Sequence, residues 1–141
     1  MDIWLPIPPP ANNLFINVPG RGRAPSRRYV EWQREALAMV ARQAPARIDA
    51  DAIAFVALMP MGVRADFDNL FKALQDVIVK ADVIENDRRL RPIAMLPWRG
   101  MPDHVCRVLM APVPPSDAPA RRGRRPKVPV AGVVAAGTEA A

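Results

Sequence analysis

The feature that most narrows the folding options lies at residues 67–80. Leu70, Leu74, Val77 and Ala81 recur at i, i+4, i+7 and i+11, while Asp68, Lys72 and Asp76 recur at i, i+4 and i+8. Side chains three and four apart share one side of an α-helix, so the first set is an apolar stripe and the second a separate polar face. A segment written this way predicts a helix that buries one side in a core and keeps a carboxylate–lysine–carboxylate row on another.

The rest of the chain supplies that core. Tyr29, Trp32, Ala36, Met39, Val40 and Gln43 follow the same spacing over 27–43, with Ser26 placed to cap the start and Pro45 to end the helix. Residues 52–60 (AIAFVALMP) form an apolar run of strand length, and residues 2–6 (DIWLP) read as a short strand. The following IPPPANN stops that strand, because proline lacks the N–H that a ladder needs. Residues 11–26, with Pro19, Gly20, Arg21, Gly22, Arg23 and Pro25, read as a mobile basic loop. After the second helix, ENDRRL leads into a strand near 89–96, and 103–111 gives a last strand. The order β-α-β-α-β-β predicts an α/β or α+β domain, with a small mixed sheet packed against two main helices.

From Pro112 onward proline, arginine, alanine and valine dominate without a periodic pattern. The expected division is therefore a domain over 1–111 and a disordered basic Pro/Ala-rich tail over 112–141. At 141 residues, half of them hydrophobic, the chain has the material for one packed domain. With only 6% aromatic residues, that core must be mostly aliphatic.

The net charge of +6 favours an anionic partner, nucleic acid above all. Part of it belongs to the tail cluster RRGRRPK, which could add non-specific affinity for DNA. Cys106 is the only cysteine, so an intrachain disulfide and a thiolate zinc site are both excluded. That usage fits a reducing, cytoplasmic setting. The opening MDIWLPIPPP lacks a secretory pattern, and no apolar run approaches the ~18 residues that span a bilayer.

Cutting a phosphodiester at neutral pH requires an activated water and stabilisation of charge on the phosphate, and a hard divalent cation supplies both. Mg²⁺ takes oxygen ligands, usually one or a few carboxylates. The stretch RADFDNLFK (64–72) offers Asp66 and Asp68 at the expected helix start and Lys72 one turn later. Asp87 follows in the loop after the helix. Plainer readings exist for each: a helix N-cap for Asp66 or Asp68, a surface pair for Asp68 and Lys72, a turn residue for Asp87. Spacing alone does not separate these from a metal site.

Three segments together, WLPIPPPANN (4–13), DFDNLFKALQD (66–76) and ENDRR (85–89), resemble the RusA family of Holliday junction resolvases over residues 3 to about 110. The resemblance implies a homodimer that binds branched, four-way DNA junctions and nicks opposed strands with Mg²⁺ or Mn²⁺. Such an activity, crossover junction endodeoxyribonuclease, serves DNA recombination and repair. It further implies that Asp66, Asp68 and Asp87 are metal-binding acids and that Lys72 is an essential lysine. Asn12, Asn13, Asn69 and Asp76 become possible further site residues. The chain departs from the family at Asn86, where members often carry a second acid beside the one at Asp87.

Arg21, Arg23, Arg27 and Arg28 form a basic cluster suited to phosphate contact, and Arg88 and Arg89 follow Asp87 directly. His104 reads as a structural residue of an apolar strand and Cys106 as core. Trp4, Trp32 and Trp98 read as packing anchors. Two other functions fit the same residues: a structure-selective DNA-binding protein without catalysis, and a nuclease acting on flaps or forks.

Overall fold

The computed structural model describes residues 1–63 and 65–114, the side chains of Asp68 and Pro92 excepted. The expected tail disorder and its basic cluster, from residue 115 onward, lie outside the described residues.

The chain forms β1 (Asp2–Pro6), β2 (Phe15–Val18), β3 (Gly22–Pro25), α1 (Arg27–Gln43), β4 (Ile53–Pro60), α2 (Asp68–Lys80), β5 (Leu90–Trp98) and β6 (Val105–Pro112). Single 3-10 turns stand at Ala11–Asn13 and Asp87–Arg89. Four strands make a mixed sheet in the order β1-β6-β4-β5. β4 and β5 are parallel, joined by the α2 crossover, and β6 runs antiparallel to both β1 and β4. Among the described residues this is the mixed sheet with two main helices that the sequence predicts. β6 continues one residue past the expected domain end, and the Val113 N–H still donates to the Ala52 carbonyl.

The first helix begins where its chemistry dictates. Ser26 is extended, and its hydroxyl accepts from the Tyr29 N–H at 3.1 Å, satisfying one donor that the first turn leaves open. The helix ends with Ala44 in the left-handed region, at φ 42°, immediately before Pro45. Tyr29, Trp32, Ala36 and Val40 are buried along its apolar stripe, and the Trp32 indole donates to the Pro6 carbonyl, tying α1 to β1. On α2, Leu70, Leu74, Val77 and Ile78 are buried, and the Phe71 ring lies 5.9 Å from that of Phe55 on β4. β6 alternates buried Cys106, Val108 and Met110 with more open neighbours, so one face of the sheet carries the core. Cys106 is wholly buried, and desolvation pushes its thiol up to about 12.

Three expectations change. Residues 11–26 are not simply a loop: β2 and β3 form an antiparallel hairpin. Its Pro19-Gly20-Arg21 connection is permitted by the positive φ of Gly20 and Gly22 (71° and 77°), which costs a glycine little. His104 is exposed in the turn before β6 rather than within the strand. Of the three tryptophans only Trp32 is a buried anchor. Trp4 is 37% exposed beneath the Arg107 guanidinium, and Trp98 is 54% exposed at the end of β5. No helix among the described residues is long and apolar enough to cross a membrane.

Candidate active site

The hairpin, the start of α1, the outward side of α2 and the turn before β5 meet around one charged cluster. Lys72 projects from the second turn of α2. Its Nζ lies 2.8 Å from Asp76 Oδ1 and 3.6 Å from Asp87 Oδ2. The other oxygen of Asp76 accepts from the Tyr29 hydroxyl at 2.9 Å. A chain of polar contacts therefore runs from α1 through α2 to the turn before β5: Tyr29, Asp76, Lys72, Asp87.

Each contact follows from local structure. Lys72 and Asp76 are one helical turn apart, so their side chains stack on one face. Asp87 is aimed by its neighbour. Asn86 is extended and caps the short 3-10 turn, its Oδ1 accepting from the Arg88 N–H at 3.0 Å. The amide thus does the capping, and the Asp87 carboxylate is left to face Lys72. Tyr29 reaches Asp76 because its ring is stacked on Trp32 and met edge-on by Phe15 of the hairpin, with centroids 6.1 and 5.8 Å away. The hydroxyl is the only polar end of an otherwise buried side chain, and Asp76 satisfies it.

The electrostatics follow the contacts. The hydrogen bond to Asp76 holds the Lys72 ammonium above its ordinary range, with the charge of Asp76 and then Asp87 adding to the effect. Burial, reinforced by Asp76, pushes the Tyr29 phenol up to about 12, so it is a neutral donor near pH 7.

The sequence-derived residues divide into two groups. Lys72, Asp76 and Asp87 come together. Asp66 is exposed in the turn before α2, where its carbonyl accepts from the Asn69 N–H at 3.1 Å, and no hydrogen bond or ion pair joins its carboxylate to the cluster. Asp68 is the first residue of α2; its side chain, and hence its expected role as a ligand, lies outside the described residues. The residue before α2 is Phe67, itself helical in φ and ψ and without a side-chain capping bond. Among the described residues no three acids, histidines or cysteines converge closely enough to form a ready metal cage.

Asn12 and Asn13 are exposed on the turn after β1, where the Asn13 carbonyl accepts from the Ser26 hydroxyl. Asn69 is half-buried in the first turn of α2. Arg21, Arg23, Arg27 and Arg28 are all exposed, on the hairpin and the first turn of α1. Arg23 lies over the Phe15 ring at 4.8 Å, and Arg27 pairs with Glu31. Arg88 is exposed, whereas Arg89 is held by Asp49 and Glu85 and has a structural use.

Tyr29 was visible in the sequence only as part of an apolar stripe. A tyrosine at a stripe position facing an acidic helix row is the signal that could have marked it. Comparison with protein-family models and with curated proteins returns no match for this chain.

Proposed function

We propose that this chain is a divalent-metal-dependent endonuclease acting on branched DNA, with Lys72 and Asp87 at its centre. The observation that carries the reading is the convergence of Asp76 and Asp87 on one ammonium at an exposed rim. Two carboxylates within 4 Å of a common positive charge suit a site that handles a cation and a phosphate together.

The donor chemistry fits the metal that the motif resemblance implies. The available ligands are carboxylate oxygens, the class Mg²⁺ and Mn²⁺ prefer. Asp87, with Asp66 and Asp68 from the turn and first residue of α2, would be drawn together to hold the ion, since among the described residues no three acids already converge. When bound, such an ion lowers the pKa of a ligated water and stabilises charge on the phosphate.

The protein's own groups do the rest. Lys72, its ammonium held between Asp76 and Asp87, would serve as a fixed positive charge beside the scissile phosphate. Asp76 and Tyr29 hold that charge in place. Exposed Arg21, Arg23, Arg27 and Arg28 supply backbone contacts, whose strength falls with salt. The four-way junction as substrate and the homodimer rest on the resemblance. A two-fold enzyme matches a two-fold junction, and exposed Leu96 and Trp98, which share one face of the edge strand β5, offer apolar surface for a second copy.

The test is cleavage of a labelled mobile four-way junction with and without Mg²⁺, beside linear duplex, flap and fork controls. Paired symmetric nicks on the junction, lost in Asp68→Asn with binding retained, are expected. Cutting by that variant at the wild-type rate would remove Asp68 from the site, and preference for flaps or forks would replace the junction as substrate. A second reading, junction binding without catalysis, draws on Asn86: it stands where the family often has an acid, and its oxygen is engaged in capping. Tight binding with no nicking in Mg²⁺ or Mn²⁺ would establish it.

A further inference from the structure

A cavity of about 470 Å³ opens beside the charged cluster, between the hairpin, α1, α2 and the turn before β5. We infer that it is a nucleobase subsite, which receives the unpaired base of a nucleotide next to the phosphate held at Lys72. The inference rests on the endonuclease reading for its place in the reaction, but its chemistry comes from the cavity itself.

The volume lies within the roughly 300–1,000 Å³ of small-molecule sites. Half-buried Phe15 supplies the accessible aromatic ring of its lining, and Tyr29, also at the lining, is nearly wholly buried. Two side-chain amides line it, Gln33 and Asn86, and both have their oxygens engaged: Gln33 Oε1 accepts from Lys80 Nζ at 3.2 Å and Asn86 Oδ1 from the Arg88 N–H. One Gln33 N–H leans toward the Tyr29 oxygen, so what the amides have to offer a ligand is the second Gln33 N–H and those of Asn86, which the Lys80 ammonium supplements. Asp87 contributes carboxylate oxygen as acceptor.

The complement of such a lining is a flat, apolar-faced group rich in acceptors and carrying at least one donor. A nucleobase has that description, with ring nitrogens and carbonyl oxygens on its edge and a π-face for stacking. The position suits the proposal equally. Asp76 and Asp87 line the cavity and also hold Lys72, so base and phosphate would sit on adjoining walls. A branch point interrupts the continuous stack of a duplex, so extruding a base there costs less than within one.

The test uses the full chain in EDTA, so that cleavage plays no part. Nucleoside 5′-monophosphates are titrated while protein amide shifts and saturation transfer to base protons are followed by NMR. Ribose 5-phosphate and inorganic phosphate are the controls. Expected are saturation of the base protons and shifts at Phe15, Gln33 and Asn86 that neither control produces. Gln33→Ala, a helix-surface change that leaves the core intact, should weaken binding about fivefold or more, and Phe15→Ala likewise through lost stacking. Equal binding of ribose 5-phosphate, no binding in the millimolar range, or wild-type affinity in Gln33→Ala would overturn the proposal. Base binding by a chain that cuts no DNA would leave the subsite standing and remove the nuclease reading. Cutting without base binding would do the reverse.

Discussion

The Tyr29 hydroxyl donates to Asp76 at 2.9 Å, and through that carboxylate a buried residue of α1 fixes a lysine on α2. Tyr29→Phe keeps the ring contacts with Phe15 and Trp32 and deletes only this bond. A hydrogen bond to a charged, half-buried acceptor is worth about 1–2 kcal/mol, so urea denaturation should show a loss of that size with an unchanged m value. If Asp76 positions Lys72 by way of Tyr29, the variant should also lower the lysine's pKa, read from NMR titration of its side chain, and depress the turnover number more than KM. A stability loss with neither effect would make the contact purely structural.

The pH dependence of the Lys72 contacts has a definite sign. Its folded pKa is raised above the ordinary 10.5, chiefly by Asp76. Any stability from these contacts is therefore fully present below pH 10.5 and is lost as pH climbs through the folded pKa. Tyr29 acts in the same direction: raised from 10 to about 12, it favours the folded state below pH 10 and ceases to do so between 10 and 12. Lys72 is half-exposed, so its share is small. Between pH 7 and 9 cleavage should show no loss from lysine deprotonation, and thermal melts from pH 9 to 12 should show the decline. A lysine titrating near pH 7 would assign it a general-base role instead.

Much of this fold was legible because both helices advertise themselves. Ser26 marks the start of α1 and Pro45 its stop, and the observed helix runs over the expected residues, Arg27–Gln43. The hairpin was not legible as strands because Phe15–Val18 and Gly22–Pro25 lack an alternating buried face: most of their side chains are exposed. It is held by Phe15 against Tyr29, by buried Leu14 at its base and by the Ser26 N–H donating to the Leu14 carbonyl, none of which a local pattern displays. Trp98 departs from expectation for the opposite reason: its size suggests burial, but β5 is an edge strand and the residue sits at its end.

At the candidate site, the row Asp68, Lys72, Asp76 could be read from helical spacing alone. What fixes Asp76 could not, since its partner lies on another helix. Asp76 becomes a fixed partner because Tyr29 orients it from another helix. Asp87 joins through the cap made by Asn86, a detail of turn geometry that residue types suggest but do not aim.

Ala44 offers a test of backbone energetics independent of function. It ends α1 at φ 42°, in the left-handed region where a Cβ crowds the backbone, and its side chain is exposed. Ala44→Gly removes that crowding without opening a cavity, at some cost in unfolded-state entropy. A net gain of about 0.5–1 kcal/mol is expected. A destabilised variant would mean that the Ala44 methyl contributes packing that outweighs its backbone strain.

Asn86 decides how the short turn before β5 combines capping with charge. Asp is as good a cap as Asn, so Asn86→Asp should preserve the bond to the Arg88 N–H and leave stability within about 0.5 kcal/mol of wild type. Asn86→Ala removes the cap and should cost about 1 kcal/mol. The aspartate also sets a second carboxylate beside Asp87 and restores the acidic pair that the resemblance leads one to expect. If a divalent ion binds there, the Mg²⁺ concentration needed for half-maximal cleavage should fall in Asn86→Asp, while Asn86→Ala loosens Asp87 and raises it. An unchanged metal requirement in both variants, with the cap effects present, would place the ion away from this turn and leave Asp66 and Asp68 as its principal ligands.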